Sequence, residues 1–278
     1  MSAALRTLAP VALYVALVGA VAFALLPIAW ALSTGLKLPR EITAWPPHWI
    51  PEAPTLRNFQ TGVWSSKVPL YFRNTLIVIG LALALALPIA VHAAWAAARF
   101  NFAGKRSMMI VMWASTMIPG IAILVPLYLI AVQVGLYDSY AVLAIVYGAS
   151  AVPTLVWLLH RFMAAVPVEL EEAAMLDGCS RLGAFYRVTL RLAPAGIFAG
   201  SIFVFVNIWN EFLIGYGLVQ SDEHRIIQVG LYAFVTEVGI DWGPMMATLS
   251  ASLVPIFAIY LVMQRYFIQG LAGGALKG

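Results

Sequence analysis

Six long stretches of this sequence are almost free of charge. They run from about Pro10 to Thr34, Asn74 to Ala98, Ser107 to Val132, Ala141 to Leu159, Ala195 to Val219 and Met245 to Gln264. A helix that crosses a bilayer needs roughly 20 mostly apolar residues, so each stretch is long enough to span. Only one Asp, Glu, Lys or Arg stands inside them, Glu211. Charged residues make up 10% of the 278, and hydrophobic ones 63%. A soluble domain carries about 25% charged residues, which excludes an ordinary soluble enzyme. The chain reads as an all-α integral membrane protein, a single domain over 1–278 with six transmembrane helices. The first run exceeds the roughly 7–15 apolar residues of a signal-peptide core, so it reads as a retained anchor, although Ala29-Trp30-Ala31 imitates a cleavage site. Five spans hold proline: Pro27, Pro88, Pro119 with Pro126, Pro153 and Pro255. A bundle built to move and the ordinary frequency of proline in membrane helices both account for that.

The formal charge of +4 does not call for nucleic acid. With the N-terminus inside, ten Lys and Arg fall on the inner side: Arg6, Arg99, Lys105, Arg106, Arg161, Arg181, Arg187, Arg191, Arg265 and Lys277. Six fall outside: Lys37, Arg40, Arg57, Lys67, Arg73 and Arg225. The excess of positive charge inside predicts that both termini are cytoplasmic. Cys179 is the lone cysteine, which leaves no internal disulfide. His48, His160 and His224 have no spacing that makes a metal site with each other or with Cys179. Ser150 lacks the flanks of a nucleophile elbow. No catalytic constellation and no metal site is expected.

Residues 160–194 form a long inner loop with its own periodicity. Val166-Pro167-Val168-Glu169-Leu170-Glu171-Glu172 opens as a helix start, with proline in the first turn and acidic residues at the positive end of the helix dipole. Ala173 and Ala174 leave a face of little bulk. Gly178 follows Asp177 where a helix can close with φ > 0. Leu182, Phe185, Tyr186 and Thr189 then recur at helical spacing among Arg181, Arg187 and Arg191. The pattern predicts helix, sharp turn, amphipathic helix. By pattern alone it suits an interfacial anchor as well as a docking element.

The same residues resemble the EAA loop of ABC importer permeases. Glu172-Ala173-Ala174, three residues, Gly178, nine residues, then Val188-Thr189-Leu190 follow that family's spacing. The departure is Arg191, where the family has proline, with Pro194 three residues on. Thr55-Leu56-Arg57-Asn58-Phe59, Arg73-Asn74-Thr75-Leu76, Phe102-Ala103-Gly104-Lys105-Arg106, Trp209-Asn210-Glu211-Phe212-Leu213 and the tail Gly270–Gly278 are similar to the carbohydrate subgroup, the shorter permease of the maltose and multiple-sugar type. The resemblance implies the type I ABC importer fold in a prokaryotic inner membrane. It implies a second permease subunit, two ATPase subunits and an extracytoplasmic solute-binding protein as partners, with lipid around the chain and a sugar as cargo. It implies that Glu172, Ala173, Ala174, Asp177 and Gly178 couple to an ATPase. It implies further that the loop of residues 220–243 reaches toward the binding protein, and that residues 269–278 insert between the ATPases. No cofactor is expected in this chain: it has no phosphate loop, Gly104-Lys105-Arg106 being only a fragment of one, and ATP and Mg belong to the partner.

A carboxylate in a span is a functional candidate, because burying it costs several kcal/mol unless it is paired or wet. Asn207 and Glu211 are four apart, which places them on one helix face, with Trp209 and Asn210 beside them. These four are the solute-path candidates: amide and carboxylate hydrogen-bond sugar hydroxyls, and an indole stacks on a ring. A structural contact between helices and an interfacial position are the other readings of Glu211. The competing function is an ion-coupled secondary carrier using Glu211 and His92. Such carriers usually carry internal repeats, and no duplication is visible. His92 reads as a packing group or a group facing a wet cavity before it reads as a proton relay.

Overall fold

The computed structural model describes residues 3–237 and 239–275, with side chains described for 12–237 and 239–261. The chain is mostly helical. In order it forms α1 (Ala3–Gly35), α2 (Pro39–Ile42), α3 (Arg57–Phe59), a π-helical turn (Gln60–Trp64), α4 (Val68–Arg99), α5 (Lys105–Ser115), α6 (Gly120–Gln133), α7 (Tyr140–Ala165), α8 (Val168–Leu176), α9 (Arg181–Ala184), a second π-helical turn (Phe185–Thr189), α10 (Leu190–Leu192), α11 (Pro194–Trp209), α12 (Leu213–Leu218), α13 (Ile227–Tyr232), a hairpin of β1 (Val235–Thr236) and β2 (Gly239–Ile240), and α14 (Trp242–Ala275). The strands pair antiparallel, Val235 with Ile240 and Thr236 with Gly239.

Among the described residues, four helices, α1, α4, α7 and α14, are long and apolar enough to cross a membrane, and counting each bent helix pair as one span raises that to as many as six. The third expected span is not one helix. α5 and α6 meet at 92°, because Pro119 has no N–H to donate and its extended backbone (ψ 132°) ends the helical path. The fifth stretch is also broken: α11 stops at Trp209, and α12 follows after Asn210–Phe212. At its start, Pro194 occupies the first turn of α11 and Ala193 turns the chain, so Pro194 supplies the helix entry that Arg191 does not. α14 runs on past Arg265 to Ala275. Lys277 and its neighbours at 276 and 278 lie outside the described residues.

The chain forms two compact units. The first comprises residues 1–69 and 230–254. Here Gly35 packs on Ala247, and Gly62 lies so close to Pro244 that a Cβ would sit 2.6 Å from its carbonyl oxygen. Thr248 donates to the Gly62 carbonyl at 2.9 Å. Asn58 donates from Nδ2 to the carbonyls of Gly35 and Lys37. The Lys37 ammonium is buried over the Trp30 ring at 4.0 Å. Burial lowers its pKa below the usual lysine range, against the opposing charge of Glu41.

The second unit comprises residues 70–229 and 255–278. Its axis is α4, which buries a stripe of small residues, Val78, Ala82, Ala86, Ala90 and Ala94, at i, i+4 spacing. That stripe, not the Gly80 and Ala84 side, makes the close contact, since Gly80 has nothing within 4 Å of its Cβ direction. Gly148 of α7 packs so close to α4 that a Cβ there would sit 3.2 Å from the Ala82 carbonyl oxygen. α11 packs on α7 through Gly196 against Phe162 and Gly200 against Leu155, the small-residue mode of membrane helix packing.

Between α6 and α7, Asp138 takes a left-handed φ of 57°. Its carboxylate accepts from the backbone N–H of Gln220 and Ser221 and from the Ser221 hydroxyl, at 3.0–3.1 Å. Burial pushes the Asp138 pKa up, but these donors and the His224 charge outweigh it, and the net shift is downward. A lowered folded pKa contributes stability above the unfolded value of about 3.9, and that contribution is lost as pH falls through the folded pKa. Asp138→Asn is therefore expected to flatten the acid side of the thermal-stability profile in detergent, below about pH 4.5, and to lower the melting temperature at pH 7. An unchanged profile means the cluster adds no pH-dependent stability.

Candidate functional site

Two features of the second unit have the chemistry of a site. The first is the loop after α7. α8 starts at Pro167, whose extended ψ of 132° turns the chain into the helix, and carries Glu169 and Glu171 in its first turn. It ends in a complete Schellman turn: the Cys179 N–H donates to the Ala174 carbonyl, and the Gly178 N–H donates to the Met175 carbonyl. Gly178 has φ +92°, and the space where a Cβ would sit is open. Ser180 then caps α9, accepting from the Gly183 N–H at 3.1 Å. The chain runs helically to Leu192, with the π-helical turn at its middle.

One face of α4 holds this hairpin. His92, Trp95 and Arg99 lie three and four residues apart, on a single side of the helix. The Arg99 Nε donates to Glu171 Oε1 at 2.9 Å, and its Nη2 donates to the Val166 carbonyl at 2.8 Å. The Trp95 indole N–H also reaches the Glu171 carboxylate, and Trp95 packs on Phe185 with centroids 4.6 Å apart. The Thr189 hydroxyl donates to Glu171 Oε1. His92 Nε2 meets the Tyr186 hydroxyl at 2.6 Å, and its Nδ1 meets the Pro88 carbonyl at 2.7 Å. The carboxylate is thus buried but fully partnered. With Glu171, Phe185 and Thr189 turned inward, the other face is left bare: Glu172, Ala173 and Asp177 are exposed and Leu176 is 90% exposed.

The second feature is a cavity of about 550 Å³. It opens where the two broken helices approach each other: Ser115, Thr116 and Gly120 come from the α5–α6 break, and Glu211 from the α11–α12 break. Non-helical backbone at membrane depth is tolerated where it is buried or lines a cavity. Ser150, Thr154 and Asn207 add polar groups, and Tyr147 and Phe203 add aromatic surface. The Glu211 carboxylate accepts from the Tyr147 hydroxyl at 2.5 Å and from the N–H groups of Ile214 and Gly215 at 2.9 and 3.1 Å. It caps α12, satisfying two of the N–H groups that a helix start leaves open. The hydroxyls of Ser115, Thr116 and Ser150 donate to backbone carbonyls, which leaves their oxygens as acceptors. Among the described residues, no Lys, Arg or His lines this cavity.

Residues 86–273 match the family of binding-protein-dependent transport system inner membrane components. The chain belongs to that family. The permease is 34% identical over 254 residues to the sulfoquinovosyl glycerol transport system permease protein of Agrobacterium fabrum, covering 91% of this chain and 89% of the relative. It is 33% identical over 252 residues to the diacetylchitobiose uptake system permease protein DasC of Streptomyces coelicolor, covering 91% of each. It shares 31% identity over 211 residues with the trehalose/maltose transport system permease protein of Thermococcus litoralis, covering 76% of each. Its fold matches a chain of a bacterial ABC transporter involved in the import of the acidic polysaccharide alginate, with a TM-score of 0.81 over 96% of this chain and 99% of that one, at 18% identity. Membership of this family sets aside the ion-coupled carrier.

Set against the residues expected from the sequence, the permease separates two groups. Glu172, Ala173, Ala174, Asp177 and Gly178 stand together on α8 and its closing turn. The four solute-path candidates do not stay together. Asn207 and Glu211 both line the cavity, but not as one helix face, because Glu211 lies beyond the end of α11. Trp209 is a correction: it is fully buried, stacked on Phe205 at 5.3 Å and against Phe72 at 5.8 Å. Asn210 is exposed, donates to the Val206 carbonyl, and is not part of the cavity wall. The sequence assigns no site role to Glu171, Trp95, Arg99 and Thr189, or to the cavity group of Thr116, Tyr147 and Thr154. The signals for the first group are a Glu just before the motif, an Arg at a helix end, and Thr189 at helical spacing within the hairpin.

Proposed function

We propose that this chain is one of two permease subunits of an ATP-driven, binding-protein-dependent importer of uncharged sugars or short oligosaccharides. Both termini face the cytoplasm, with α8 on that side. The observation that carries the reading is the docking hairpin. A short helix is closed by a left-handed glycine, clamped from behind by Arg99 and Glu171, and offers Glu172, Ala173 and Leu176 outward. Such a face suits insertion into a cleft of an ATPase, which supplies ATP and Mg. The cavity suits the cargo. Its wall presents acceptor oxygens and two aromatic surfaces, which match the donor hydroxyls and the apolar ring faces of a sugar. Among its described residues it has no cation to offset the desolvation of an anion, and an unpaired buried charge is expensive. Alternating access then moves the cavity between the two sides.

The test is reconstitution of this chain with its partner permease, ATPase and binding protein in proteoliposomes. Leu176→Cys is expected to crosslink to the ATPase, and uptake is expected to require both ATP and binding protein. Uptake driven by an ion gradient without ATP, with no crosslink from Leu176→Cys, overturns the proposal.

A further inference from the structure

The helix that clamps the docking hairpin is fastened just as firmly at its other end. There Asn74 and Thr75 are fully buried and Tyr71 is 5% exposed. The Asn74 amide donates to the carbonyls of Glu223 and Arg225, both at 2.9 Å, and its Oδ1 accepts from the Tyr140 hydroxyl at 2.7 Å. The Thr75 hydroxyl donates to the Tyr71 carbonyl and accepts from the Ile227 N–H at 2.9 Å. The Tyr71 hydroxyl donates to Asp222 Oδ1 at 2.6 Å. These bonds capture the segment 222–227 mainly through its backbone, at the Glu223 and Arg225 carbonyls and the Ile227 N–H, with the Asp222 carboxylate as a side-chain anchor. Twenty-eight residues separate Tyr71 from Arg99, about 42 Å of helix at 1.5 Å per residue. That exceeds the ~30 Å hydrocarbon core, so the two clasps lie at opposite membrane faces.

We infer that α4 is the rod that couples the extracytoplasmic partner to the ATPase, with Asn74 and Glu171 as its two positioning residues. This rests on the importer reading above. A buried amide or carboxylate that loses its partners in a low-dielectric setting is costly, so neither loop slides along α4 without breaking its clasp. The stripe of Ala82, Ala86, Ala90 and Ala94 lets the middle of the rod lie flush against its neighbours. A partner that shifts the segment 222–227 therefore shifts α4, and α4 carries the docking hairpin with it. The coupling path is contiguous and is held at both ends by discrete contacts, the condition under which coupling can be tested residue by residue.

The experiment uses the complete four-component complex in nanodiscs and reads ATP hydrolysis with and without the cognate binding protein. Asn74→Ala is expected to keep the basal rate within about twofold and to cut the stimulation by the binding protein at least fivefold. Tyr140→Phe, which removes one hydroxyl from the same clasp, should cut it about twofold and covers the case in which Asn74→Ala fails to assemble. If one rod carries the signal, Asn74→Ala combined with Glu171→Gln stimulates no less than the weaker single variant, since a rod loosened at one end has nothing more to lose. Stimulation equal to wild type in both Asn74→Ala and Tyr140→Phe, or strictly multiplicative losses in the double variant, overturns the inference. A wild-type complex whose hydrolysis ignores the binding protein overturns the importer reading instead.

Discussion

Glu171→Leu is expected to destabilise the α8–α10 hairpin by about 3–5 kcal/mol, the usual cost of removing one partner from a buried ion pair. The reason is what remains. Arg99 keeps its bond to the Val166 carbonyl, but its guanidinium, only 9% exposed, loses the carboxylate beside it. The Trp95 N–H and the Thr189 hydroxyl lose the same acceptor. The expected result is a complex that expresses poorly or sheds its ATPase on purification, with a lower melting temperature where it survives. Replacing both charges, Arg99→Met with Glu171→Leu, should recover much of the loss, because a buried pair exchanged for apolar side chains of similar size is often close to neutral. A single variant as stable as wild type, in matched thermal melts, shows that the pair does not hold the hairpin.

The second large effect is at Gly178. Its φ of +92° and the open space around its Cβ direction mean that a substitution there meets backbone strain alone, with no collision. The expected order is Asn best tolerated, Ala intermediate and Val worst, since Asn visits the left-handed region and a β-branched residue is an outlier there. Gly178→Val should leave the membrane helices intact and the complex assembled, while transported solute per ATP hydrolysed falls about tenfold, equivalent to roughly 1.4 kcal/mol of lost coupling. A valine variant that assembles and transports normally removes α8 from the docking role.

The run of spans was legible because bilayer thickness imposes a length and a freedom from charge that no soluble segment needs. The turn that closes α8 was legible for a similar reason: glycine closes a helix at φ +92° without strain, and Gly178 stood at the right distance from Glu172. The breaks were harder to read. Pro119 stops α5, but Pro88, Pro153 and Pro255 sit inside continuous helices. Whether a proline breaks a helix depends on what its neighbours offer the freed carbonyl, and that is not written in the local sequence. Trp209 shows the same limit, because period and composition cannot say whether an indole faces a cavity or the ring of Phe205.

By itself, then, the sequence determined the membrane solvent, the number of apolar runs and the position of the glycine turn that closes α8, all set by local or one-dimensional constraints. Only the tertiary structure decided which carboxylate is structural. Glu171 and Glu172 are neighbours of one chemistry. A rotation of about 100° along α8 sends one onto Arg99 and Trp95 and leaves the other exposed. Glu211, the lone charge of the apolar runs, is stabilised by Tyr147, 64 residues away in the chain, and by a helix start that exists only because α11 breaks. Both assignments depend on partners brought together from distant parts of the chain, which is why no window of sequence contains them.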